Sequence, residues 1–92
     1  MSIKMIHYNE VRYIIPEPFD KCYFGKDATK IITVPHRFND KDHQVFVKLP
    51  AFAVAIYDTI TGAELSQDYD LMQKGITWFQ KNFTKEYFEL LD

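Results

Sequence analysis

A chain of 92 residues that is 47% hydrophobic and 16% aromatic carries enough apolar material for one packed domain, residues 1–92, and too much for intrinsic disorder. Its formal charge of -2 gives no broad basic field for nucleic-acid phosphates and is too small for an acidic DNA mimic. Cys22 is the single cysteine, so no internal disulfide can form, and the expected setting is a soluble protein of the reducing cytoplasm.

The opening MSIKMIHYNE is too short and polar for a signal peptide, and no window reaches the roughly 18 apolar residues of a membrane span. Residues 2–8 and 11–15 are strand-like, separated by Asn9 and Glu10, and form either one bent strand or a tight hairpin. Pro16 and Pro18 then stop regular pairing, because proline lacks an amide donor. A short extended piece, Cys22 to Phe24, is expected next, closed by a turn at Gly25.

The strongest local signal is TKIITVPHRFNDKDHQVFVKLP. With Asn39 to Asp42 as the loop, Phe38 pairs with His43, His36 with Val45, Val34 with Val47 and Ile32 with Leu49. One face then carries Ile32, Val34, Phe38, Val45, Val47 and Leu49, and a slip of one residue would scramble it. Past Pro50, large residues (Phe52, Val54, Ile56) alternate with alanines 51, 53 and 55, which reads as a continuing strand. DTITGAEL reads as a turn with a positive φ at Gly62.

Residues 68–91 have the helical period. Tyr69, Met72, Ile76, Phe79, Phe83, Tyr87 and Leu90 form one stripe, opposite Gln73, Lys74, Thr77, Lys81 and Lys85. Ser66 or Asp68 can cap the start, a joint can fall near Phe83 where Thr84 could cap a second segment, and Gly75 is expected to pack over the alanine face. The expected fold class is α+β: an antiparallel β-sheet of about four or five strands packed against one long C-terminal amphipathic helix.

Catalytic chemistry finds little purchase. His36 and His43 would be diagonal neighbours about 7 Å apart, with Asp40 or Asp42 near, but they fall short of a zinc spacing. Cys22 has no evident base, the carboxylates Glu10, Glu17, Asp20, Asp58, Glu64 and Asp68 are scattered, and the glycines are too isolated to cradle a phosphate. No catalytic residue, metal ligand or cofactor site is therefore assigned. IYDTITGAEL, followed by a helix with Trp78, Asn82 and a Glu-Leu-Leu ending, is similar in layout to a family of small bacterial domains of unknown function marked by a His-Pro-Pro-His-Phe-His motif. HRFNDKDH occupies comparable ground without that motif.

Two binding roles stay open. The first is a non-enzymatic protein that modulates another protein by direct contact, as inhibitors, immunity proteins and antitoxins, phage-encoded ones among them, do. Its candidate contact residues are Trp78 and Leu71 on the flank of the helical stripe, Phe88 near its polar side, and Arg37 and Phe46 on the hairpin. The alternative is a single-stranded nucleic-acid binder stacking bases on Tyr8, Tyr13, Tyr23, Phe46 and Tyr57 beside Arg12, Arg37 and Lys48.

Overall fold

A computed structural model describes residues 4–35, 44 and 46–91. The first two segments form a hairpin of β1 (Lys4–Tyr8) and β2 (Val11–Ile15), with Ile6 opposite Tyr13 and Tyr8 opposite Val11. Asn9 and Glu10 both adopt positive φ, 51° and 66°, as a two-residue turn must when its twist matches that of the strands. The inward face carries Ile6, Tyr8, Tyr13 and Ile15, while Met5, His7, Arg12 and Ile14 face out. β2 ends at Ile15, where the prolines begin.

Cys22 to Phe24 is not a strand. It follows a short 3-10 turn, Phe19–Lys21, and pairs with no strand among the described residues. Phe19 and Phe24 instead turn into the core, and the Lys4 ammonium lies 4.1 Å over the Phe24 ring. Gly25 takes φ 84°, a value that favours glycine, though the chain forms no hydrogen-bonded turn at it.

β3 (Ile31–Pro35) and β4 (Phe46–Pro50) pair in the expected register, Ile32 with Leu49 and Val34 with Val47. Val34, Val47 and Leu49 are buried, whereas Ile31, Thr33, Phe46 and Lys48 are exposed, so the face segregation also holds. The pairs of Phe38 with His43 and His36 with Val45 lie outside the described residues. The strands do not join into one sheet of four or five. Among the described residues there are two separate two-stranded sheets, β1–β2 and β3–β4.

The largest departure from expectation is α1 (Ala51–Leu65), a helix where the alternation pointed to a strand and a turn. Pro50 ends β4 and stands at the helix N-cap, with no side-chain cap. Two orphan amides of the first turn are satisfied from elsewhere: Ala51 N–H donates to the Lys30 carbonyl at 2.8 Å and Phe52 N–H to the Ala28 carbonyl at 2.9 Å. That loop is held by Asp27, whose carboxylate accepts from the Thr29 hydroxyl (2.7 Å) and amide (3.0 Å). These bonds, the hydroxyl's first, keep the Asp27 carboxyl below its ordinary value. Its contribution is thus present above the unfolded carboxylate pKa and is lost as pH falls through the folded one. Phe52, Ile56, Ile60 and Ala63 recur every three or four residues and are all buried. Gly62 is an ordinary helical residue.

α1 closes on Gln67, in the left-handed region at φ 62°. Asp68 N–H reaches back to the Ala63 carbonyl (2.8 Å) and Gln67 N–H to that of Glu64 (3.2 Å), the paired bonds of a Schellman end. The Asp68 side chain then caps α2 (Tyr69–Asn82) by accepting from Leu71 N–H at 3.2 Å. One residue thus ends one helix and starts the next. Asp68→Ala is expected to cost about 1 kcal/mol in urea unfolding through loss of that cap.

The C-terminal segment is not one long helix. At Phe83 (φ -134°, ψ 60°) the backbone leaves the helical region, and α3 (Thr84–Leu90) begins anew. Thr84 does not cap α3. Its hydroxyl donates back to the Gln80 carbonyl at 2.7 Å, while Asn82 donates to that of Trp78 at 2.8 Å, so side chains reach two carbonyls near the end of α2. Gly75 meets Ile60 of α1 and Phe19, not the alanines. A Cβ there would collide with Ile60 Cγ1 and lie 3.3 Å from Phe19 Cζ.

Phe52, fully buried, centres an aromatic cluster of Tyr8, Tyr13, Trp78 and Phe83, with ring centroids 5.3 to 6.3 Å from its own. Partial burial, with Tyr8 and Glu86 as smaller influences, pushes the Tyr13 phenol above its ordinary pKa. The β1–β2 hairpin is thereby fastened to α1 and α2, while β3–β4 lies against α1 with α3 beside β4.

Candidate functional site

The clearest surface feature is a groove between β2 and α2. On α2, Asp70, Gln73, Lys74, Thr77, Trp78 and Lys81 follow one another at steps of three and one, which places them on a single face. Opposite them, Arg12, Ile14 and Pro16 follow at steps of two, continued by Glu17. Two adjoining hollows, about 790 and 410 Å³, share Pro16 and Trp78. Pro16 and Glu17 accompany Asp70 and Gln73, and Arg12 accompanies Lys81, so β2 and α2 run antiparallel along the groove.

Trp78 ties the walls together. Its indole N–H donates to the Ile14 carbonyl at 2.8 Å, and only 7% of the residue is exposed, so it supplies the floor. The Ile14 carbonyl is free for this bond because of the β1–β2 register. Tyr8 and Val11 flank a two-residue turn and are a hydrogen-bonded pair; two residues on, so are Ile6 and Tyr13, which leaves the main-chain groups of Arg12 and Ile14 pointing outward.

The other residues expected at a partner surface are dispersed. Leu71 is half-buried against the core. Phe88 and Phe46 stand on the surface, 54% and 53% exposed, on α3 and β4. Arg37 lies outside the described residues. The site also contains residues that sequence reasoning missed. Pro16 was legible only as a strand stop and Gln73, Lys74, Thr77 and Lys81 only as a solvated face. The outward alternation of Arg12 and Ile14 was the available signal, but nothing local said that α2 would lie beside it.

Among the aromatics of a base-stacking surface, Tyr8 and Tyr13 pack on Phe52, and Tyr57 on Phe79. Tyr23 and Phe46 are exposed. Among the described residues no group of three or more His, Cys, Asp or Glu could hold a metal ion, and His36, Asp40, Asp42 and His43 lie outside them. Cys22 is half-buried, its sulfur 3.6 Å from the Thr59 hydroxyl. No helix among the described residues is long and apolar enough to cross a membrane. No family model, curated protein or solved structure matches the chain.

Proposed function

We propose that this protein acts without catalysis, binding another protein through the groove between β2 and α2 and modulating it by direct contact, in the manner of an inhibitor, immunity protein or antitoxin, such as phages encode, in the cytoplasm. The supporting observation is the groove itself, an open channel floored by Trp78 and Pro16, walled by Ile14, and rimmed by exposed polar and charged side chains. An apolar floor with a polar rim is the anatomy of a protein-recognition surface. Its walls are a strand and a helix braced by the Trp78 to Ile14 bond, so the surface is formed before the partner arrives and little ordering entropy opposes binding.

The test is capture of a stoichiometric partner from host lysate by the wild-type chain and by Thr77→Arg, which fills the middle of the groove from an exposed position. Retention by the wild type and loss by the variant, with folding intact by circular dichroism, is the expected outcome. Equal capture by both, or binding of single-stranded nucleic acid that weakens steeply with salt in place of any protein, would overturn it.

A further inference from the structure

The charges along the groove are sorted by sign. Glu17 and Asp70 stand at one end, Arg12 and Lys81 at the other, and Lys74 lies between them. All five are exposed. Asp70 and Lys81 lie in the first and last turns of α2, where they also complement the helix dipole, so they alone say little about a ligand. Glu17 and Arg12 do not belong to the helix. They repeat the same order on the opposite wall, which the dipole does not account for. The floor between the two ends is the apolar edge of Trp78 with Pro16, and Ile14 walls it.

From this we infer that the occupant is an extended segment of a partner protein carrying a basic, an apolar and an acidic side chain at alternate positions, the basic one toward Glu17 and Asp70. This rests on the protein-binding reading above. Asp70 and Lys81 are eleven helical residues apart, about 16 Å at 1.5 Å per residue. Five extended residues span about 13 Å between their outer Cα atoms, and long charged side chains cover the remainder. An extended conformation matches the span between the charged ends and the antiparallel run of β2 and α2 along the groove. Alternate side chains of such a segment point the same way, so three of the five face the groove together.

The experiment uses capped heptapeptides with Lys, Leu and Glu at alternate positions, and controls with Lys or Glu at both outer positions, titrated into the nitrogen-15-labelled chain. The Lys–Leu–Glu peptide is expected to shift the Trp78 indole signal and the Arg12 and Ile14 amides saturably. It should bind about fivefold more tightly than either control, since exchanging exposed ion pairs for like-charge contacts changes binding by about that factor. In the double variant Arg12→Glu, Lys81→Glu, preference should pass to the peptide with Lys at both ends. Equal affinities, shifts centred on other surfaces, or no saturable shift with any peptide would overturn the inference. The broader function falls instead if Thr77→Arg leaves partner capture unchanged or single-stranded nucleic acid binds in place of any protein, so the two failures are distinguishable.

Discussion

Replacing Phe52 by alanine is expected to cost about 3–5 kcal/mol, a large share of the roughly 5–14 kcal/mol that holds a domain of this size together. The ring is wholly buried and touches both hairpin tyrosines, Trp78 and Phe83. Truncation therefore removes transfer energy, opens a cavity and uncouples the β1–β2 hairpin from the helices at once. Phe52→Leu keeps most of the volume and should cost about 1–1.5 kcal/mol. Urea unfolding followed by Trp78 fluorescence measures both, because Trp78 is the single tryptophan and packs against Phe52. Comparable losses for the two variants would mean that the cavity does not dominate.

Gly75→Ala is expected to destabilise the protein by about 1–2 kcal/mol, although helix propensity favours alanine by about 1 kcal/mol. The added methyl would collide with Ile60, and because Ile60 and Phe19 are both buried, a shift of either disturbs the core around it. Gly75→Leu should cost several times as much. The same Gly75→Ala change made in an Ile60→Ala background should become neutral or stabilising by up to about 1 kcal/mol, because the obstruction is gone and only propensity remains. A double-mutant cycle showing no coupling between positions 75 and 60 would refute the close approach of α1 and α2 at this point.

Whether a pattern in the chain announced its structure depended on where its partners came from. The register of β3 and β4 was legible because both faces of the hairpin are written in alternating residues and only one pairing keeps them apart. The cap at Ser66 or Asp68 was legible because a cap bonds within one turn, and it falls on Asp68; the stripe from Tyr69 to Leu90 was legible because its spacing repeats whatever it packs against, although Tyr69 itself is exposed. α1 was not. Its start is capped by carbonyls of Ala28 and Lys30, more than twenty residues earlier, so no N-cap residue announced it. Its burial against several elements blurred the stripe of Phe52, Ile56, Ile60 and Ala63 into an alternation with alanine.

The groove lies further still from what local pattern can express. Arg12, Ile14 and Pro16 needed α2 beside them, and Trp78 needed the Ile14 carbonyl, 64 residues away in sequence, to become a floor rather than a flank. The chain by itself determined its α+β composition, the register of β3 with β4 and the helical period of its last third, because those follow from side-chain periodicity and short-range hydrogen bonds. The tertiary structure alone decided that the strands stay in two hairpins, that residues 51–65 coil, and which polar helix face borders a groove. Each of those outcomes depends on contacts between segments far apart in sequence.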